Sequence, residues 1–228
     1  GIAYFTGSNI FGGCYDYGII HGAASINMHS DMVGEEYSTP AALAELSTKN
    51  LECCQIFGAG KGQKTEVIGN TYVSLSGAIF NGQQTIPNLM NVYGGSMEGY
   101  VVGRSNVVCD FEVEGATARD AVTHGVWGST YGGGRMGDVV AESRLIPGIK
   151  TPTLSGTSVK VYTGQLNEVF GGSRMADIEG GALVEINDKS HDHFHTIIGR
   201  VYGGNDVSGN VYYGSLVEIH SSINGNVY

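Results

Sequence analysis

The segment "NVYGG" at residues 91–95 decides the fold, because close copies of it return along the whole chain. Each copy has a β-branched residue, an aromatic residue and two small residues, nearly always a pair of glycines. The aromatic anchors of the six full copies are Phe11, Phe57, Tyr93, Tyr131, Phe170 and Tyr202. A further "NVY" ends at Tyr228, and successive anchors lie 26 to 46 residues apart. Self-similarity at such periods indicates a repeat protein.

A second segment follows each anchor and begins with a glycine. In "GALVEIN" at 181–187, for example, Val184 and Ile186 alternate with Glu185. A period of two residues predicts a half-buried β-strand, and the β-branched and aromatic anchors also favour a strand. The chain holds 37 glycines, about twice the usual share. We expect the Gly-Gly pair to end each anchor strand by adopting the positive φ that glycine alone tolerates.

Strands separated by glycine corners in every repeat predict the coils of a solenoid. We expect one domain over residues 1–228, an all-β right-handed parallel β-helix of about six coils, with loops extruded from the longer repeats. One coil cannot bury its own apolar face, so equivalent side chains should stack on one another from coil to coil. The aromatic anchors should form such a stack, whereas no clear asparagine ladder is visible in the sequence.

The region 29–54 breaks the pattern and reads as an insertion. Ser38 or Thr39 is a suitable N-cap, Pro40 suits the first helical position, and alanines and leucines follow. We therefore expect one short helix at about 40–50. Because the chain begins and ends within a repeat, we also expect it to be a segment of a longer repeat protein.

Composition excludes some partners. The formal net charge is −10 and 15% of residues are charged, which argues against nucleic acid because phosphate binding requires clustered Lys and Arg. No apolar run approaches the ~18 residues of a membrane span, so we expect no direct membrane insertion. Cys109 alternates with apolar residues and should be a small core residue. Cys14 could join Cys53 or Cys54 in an oxidising compartment, although we do not favour that pairing.

The histidine cluster "HDHFH" is the candidate metal site. On an extended strand His191, His193 and His195 would share one face, and imidazole suits Zn, Cu or Ni. The simpler interpretation is a polar loop. A divalent metal ion is therefore the one cofactor that the sequence suggests.

Candidate catalytic carboxylates lie in "CDFEVEG" at 109–115. Asp110 and Glu112 would both lie on the outer face of one strand, where paired carboxylates act as acid and base in sugar cleavage. The alternation with Cys109 and Phe111 explains the same pattern as a solvated face.

Two further features are candidate binding elements. "GGGRMGD" at 132–138 aligns with "GGSRMAD" at 171–177, so Arg135 and Arg174 should stack, either to bind an anionic sugar or phosphate or to pair with neighbouring aspartates. Tyr212 and Tyr213 are candidate sugar platforms, but alternation predicts that one of them faces inward.

The recurrent [VI]-[FY]-G-G followed by G-x-x-V-x-[IV] resembles the glycine-rich repeats of large bacterial cell-surface and secreted proteins. These include autotransporter passengers and adhesins, and the pattern is similar in outline to pectate-lyase-type right-handed β-helices. The resemblance covers nearly the whole chain outside 29–54. It implies an extracellular or cell-surface location and a non-enzymatic structural or adhesive role, with a host or microbial glycan or surface protein as partner. Because a cut end of a solenoid exposes unpaired strand edges, we also expect end-to-end self-association. The alternative is a carbohydrate-active enzyme, a polysaccharide lyase or glycoside hydrolase.

Overall fold

The computed structural model describes residues 9–30, 55–77, 91–110, 125–151, 155–186, 197–220 and 226–228. These ranges contain seventeen β-strands and no helix. The predicted helix at 40–50 lies outside them, as does most of the insertion. No helix in the described ranges has the length and apolar character needed to cross a bilayer.

The anchor segments form one parallel sheet, sheet A. Its strands, in spatial order, are β1 (Ile10–Phe11), β4 (Gln55–Phe57), β7 (Asn91–Tyr93), β10 (Gly125–Tyr131), β13 (Gln165–Phe170), β15 (Ile197–Tyr202) and β17 (Asn226–Val227). Spatial order follows chain order without exception, so each anchor strand pairs with the anchor strands of the preceding and following repeats.

The alternating segments form a second parallel sheet, sheet C. Its strands are β3 (Ala24–Ser30), β6 (Thr71–Gly77), β9 (Arg104–Asp110), β12 (Gly156–Thr163), β14 (Gly181–Ile186) and β16 (Ser215–Ile219). All six predicted alternating strands are thus confirmed. Sheet B lies between A and C in chain order and holds β2 (Tyr17–His21), β5 (Lys64–Ile68), β8 (Tyr100–Val102) and β11 (Val139–Val140). Single bridges through Ile178 and Val211 continue it.

Each repeat therefore visits sheets A, B and C in the same order. We number the repeats 1 to 6 by their described residues: 9–30, 55–77, 91–110, 125–151 with 155–163, 165–186 and 197–220. Every strand pair is parallel, so the expected all-β parallel architecture is confirmed.

The core consists of columns of equivalent side chains. In sheet C, Val73, Val107, Val159 and Val184 are aligned in register and are all buried. The inward aliphatic residues of sheets A and C form one cluster, and those of sheet B form a second. Cys109 belongs to the first cluster, as predicted, and burial together with the neighbouring Asp110 raises its pKa to about 12.

The aromatic anchors form a third column. The centroids of successive rings, from Phe11 to Tyr228, lie 4.6 to 5.0 Å apart, and their planes differ by 3 to 10°. This spacing equals the separation of neighbouring β-strands, about 4.8 Å. The predicted stacking of anchors is confirmed, and all seven rings take part.

The explanation expected for the Gly-Gly pairs was wrong. The positive-φ glycines do not include them; most lie at the start of the sheet C segments, such as Gly69 (φ 150°) and Gly103 (φ 148°). A Cβ on Gly94 would lie 2.4 Å from the carbonyl oxygen of Gly132 in the next repeat. The pairs are therefore required because the backbones of successive repeats approach closely.

Candidate functional site: the stacking interface between repeats

The contacts between successive repeats are the most regular polar feature of the described structure. Three hydroxyl groups that point into the core each donate a hydrogen bond to the first glycine carbonyl of the next anchor. Thr71 bonds Gly94 O at 2.6 Å, Ser105 bonds Gly132 O at 2.7 Å, and Thr157 bonds Gly171 O at 2.6 Å. The donors are aligned in sheet C and buried. These hydroxyl groups provide donors for the glycine carbonyl groups that the strand-to-strand hydrogen bonds of sheet A do not pair.

Asparagine and aspartate side chains form a second set of links. In each case the side-chain Oδ1 accepts a hydrogen bond from a backbone N–H of the next repeat. The five acceptor–donor pairs are Asn9–Gln55, Asn70–Arg104, Asn91–Ser129, Asp138–Asp177 and Asp177–Asn210, with distances of 2.7 to 3.2 Å. Every successive pair of repeats has one such link. The sequence conceals this ladder because its members lie at three different places in the repeat.

The Asp138–Asp177 link brings two carboxylates together. Partial burial of Asp138 raises its pKa, and the negative charges of Asp177 and Glu179 add to the effect. The hydrogen bond from Asp177 N and the Arg144 guanidinium oppose it. Ionisation of Asp138 is therefore less favourable in the folded chain than in the unfolded chain.

The segment 141–151, between β11 and β12, forms further links that cross more than one repeat; we call it the clasp. Ser143 Oγ and Arg144 N donate to the two carboxylate oxygens of Glu66, at 2.5 and 2.7 Å. Glu66 lies in β5 and is 2% exposed. On the other side, Ala141 N donates to Glu179 Oε2 at 2.9 Å, and Arg144 forms an ion pair with Glu179. Neither the clasp nor Glu66 carries a pattern in the sequence that marks this contact.

The predicted catalytic pair is described in part. Asp110 ends β9 on its outer side, is half-buried, and accepts a hydrogen bond from Thr163 Oγ1 at 3.3 Å. Glu112 lies outside the described residues. The structure thus gives Asp110 a link to the next strand of sheet C.

The predicted metal ligands His191, His193 and His195 also lie outside the described residues. Within the described ranges, no three His, Cys, Asp or Glu side chains come together as ligands for a metal ion. Cys14 and Cys109 are free thiols.

Of the two aligned arginines, Arg174 forms an ion pair. Backbone hydrogen bonds place Arg174 beside Arg135, and Arg174 Nε lies 3.8 Å from a carboxylate oxygen of Asp206 in the next repeat. Tyr131 donates its hydroxyl to the same Asp206 oxygen at 2.9 Å. Asp206 thereby links the aromatic column to Arg174.

The outer surface carries isolated aromatic residues at both ends of the described repeats. Tyr15 and Tyr17 are exposed in repeat 1, and Tyr212 and Tyr213 in repeat 6. The expectation that one of the last two faces inward was wrong, because Val211 occupies the inward position and packs against the sheet B cluster. Lys61 Nζ lies 4.1 Å above the Tyr15 ring.

The inward side chains of sheet C are more exposed to solvent in the first and last repeats than in the repeats between them. Ile26 and Met28 in β3, and Val217 and Ile219 in β16, are half-buried, whereas the aligned residues of repeats 2 to 5 are buried. Val227 and Tyr228 are 45% and 66% exposed. Among the described strands, β1 and β3 at one end, and β16 and β17 at the other, each have a neighbouring strand on one side only. The inner residues of β3 and β16 are apolar.

A scan against protein-family models finds no match, and neither do searches of curated proteins and of solved structures. The interpretation of the chain therefore depends on its own geometry.

Proposed function

We propose that this chain is a non-enzymatic structural or adhesive β-solenoid that works outside the cell or on a bacterial cell surface. In this proposal the three sheets are three sides of one right-handed coil of about six turns. The observation that carries it is the unbroken order of paired strands from repeat 1 to repeat 6 in sheets A and C, whose aromatic anchors and inner valines stay aligned. The register shifts by one residue in each sheet, between Val126 and Ser129 and between Val161 and Thr163. A binding or catalytic cleft normally interrupts such regularity, whereas a rod requires it.

The exposed edges support self-association end to end. An edge strand offers unpaired N–H and C=O groups, and another strand of similar pattern can pair with them. The aromatic and aliphatic columns have the same chemistry at both outermost repeats, from Phe11 to Tyr228 and from Ile26 to Val217. A second copy placed on the last repeat would continue each column. This contact joins two different surfaces, and it repeats along the stacking direction of the strands, so in this proposal it gives open filaments.

An adhesive role would use the lateral surface. The exposed tyrosines offer flat apolar rings with a polar edge, which suits stacking on sugars or contact with a surface protein. Tyr212 and Tyr213 are 60% and 79% exposed, and the Tyr212 hydroxyl lies 3.5 Å from Oδ2 of Asp177.

Sedimentation and electron microscopy of the purified chain test the end-to-end assembly. We expect wild-type particles to lengthen with concentration along one axis. Val227→Lys places a charge in the inner face of the edge strand β17 and should prevent elongation. Met136→Lys is the matched control, because Met136 is 40% exposed in repeat 4, away from both edges. Monomers at the highest soluble concentration of the wild-type chain, or equal elongation of both variants, would refute the proposed assembly.

A further inference from the structure

The clasp connects repeats that the sheets do not connect directly. Sheet hydrogen bonds join each repeat to the repeats immediately before and after it. The clasp leaves repeat 4 after β11, bonds Glu66 in repeat 2, and bonds Glu179 in repeat 5. Repeat 3 lies between repeat 2, which contains Glu66, and repeat 4, which contains Ser143 and Arg144. The clasp is therefore a lateral connection across four repeats.

The clasp is also internally ordered. Ser143 N donates to Ile149 O at 2.8 Å, and Gly148 N donates to Glu142 Oε1 at 2.9 Å. Ser143 Oγ accepts a hydrogen bond from Ile146 N at 2.9 Å while it donates to Glu66. These bonds hold the Ser143 hydroxyl group at the position from which it donates to the Glu66 carboxylate.

The two hydrogen bonds that the Glu66 carboxylate accepts from the clasp are of the charge-assisted class. Hydrogen bonds to a charged group stabilise more than neutral ones, and a buried donor left without its partner is costly. Glu66 and Ser143 are both almost completely buried, at 2% and 4% exposure. Opening the clasp on its own would leave a buried carboxylate without its two partners.

We propose that the clasp is a conformational lock that makes repeats 2 to 5 open as one unit. A stack of repeats held by nearest-neighbour contacts alone can open one repeat at a time from either end. With the clasp closed, repeat 2 cannot separate from repeat 3 without also breaking its bonds to repeat 4. The inference rests on the described contacts and goes beyond the proposed location and adhesive role.

Native-state hydrogen exchange tests the lock. The reporting amides are Gly58 N in repeat 2 and Gly132 N in repeat 4, which bond Tyr93 O in repeat 3 and Phe170 O in repeat 5, in sheet A rather than in the clasp. In the wild-type chain we expect both to exchange through one common opening. In Glu66→Ala, Gly58 N should exchange about 10- to 100-fold faster than Gly132 N, the factor that corresponds to losing a charge-assisted hydrogen bond.

Two further variants make the result specific. Glu66→Gln keeps the shape and an acceptor for Arg144 N, so it should restore most of the common opening. Glu218→Ala removes an exposed carboxylate from the outer face of β16 and should leave the exchange of Gly58 N unchanged. If Glu66→Ala does not fold, Ser143→Ala should give the same pattern with a smaller factor.

Two results would overturn the inference. One is faster exchange confined to the clasp amides, with Gly58 N still protected. The other is independent exchange of Gly58 N and Gly132 N in the wild-type chain. Neither result depends on whether the chain forms filaments, so failure of the lock is distinguishable from failure of the proposed function.

Discussion

Alanine at the second glycine of two anchors tests why the glycine pairs are there. Gly95 and Gly204 hold equivalent positions, in "VYGG" of repeats 3 and 6. A Cβ on Gly95 would lie 2.8 Å from the backbone N of Gly134 and 3.0 Å from the carbonyl C of Gly133, both in the next repeat. At Gly204, no described atom lies within 4 Å of the added Cβ. Neither glycine has a positive φ.

The two substitutions should therefore have opposite signs. Forcing a methyl group against backbone costs about 1–3 kcal/mol. Where there is space, replacing glycine by alanine stabilises by about 0.4–1 kcal/mol, because the unfolded chain loses conformational freedom. Each kcal/mol shifts Tm by about 2–4 °C at this chain length. We expect Gly95→Ala to lower Tm by about 2–12 °C and Gly204→Ala to raise it by about 1–4 °C.

Thermal unfolding followed by circular dichroism measures both shifts under the same conditions. If the glycine pairs served a special backbone conformation, both alanines would destabilise the chain to a similar degree. A fall in Tm for Gly204→Ala as large as that for Gly95→Ala would therefore refute the close-approach explanation.

Two further predictions concern buried polar groups. Thr157→Val should destabilise the chain by about 1–3 kcal/mol in chemical denaturation, because it leaves the buried Gly171 carbonyl without its hydrogen bond. Thr130→Val should stabilise the chain by about 1 kcal/mol, because the Thr130 hydroxyl is buried with no hydrogen-bond partner among the described residues. Equal effects of the two valines would contradict the hydroxyl column. Asp138→Asn should stabilise the chain at neutral pH, because it keeps the acceptor for Asp177 N and removes a carboxylate whose pKa is raised by burial. A raised pKa makes ionisation unfavourable in the folded chain, so the gain should appear as pH rises through the ordinary carboxyl pKa and vanish at about pH 3. A stability difference independent of pH would contradict this cause.

The strands and their stacking could be predicted from the sequence because their signals are local. An inward strand residue shows itself by alternation, as Val184 and Ile186 do around Glu185. An anchor such as Tyr93 shows itself by recurring between a β-branched residue and glycine. When the same local pattern returns several times, pairing like with like is the arrangement that buries every apolar face. The sequence therefore determined the strands of sheets A and C, the parallel architecture and the aromatic column, whereas the strands of sheet B carry no such repeated pattern.

The tertiary structure alone decided which atoms of different repeats meet. The Gly94 position is fixed by the carbonyl of Gly132, and Thr157 by the carbonyl of Gly171, neither of which a local pattern reveals. The contact between Glu66 and Ser143 joins residues 77 positions apart, in repeats that are not adjacent. Such contacts depend on the path of an extruded segment over the outer face, and that path follows from packing in three dimensions rather than from periodicity along the chain.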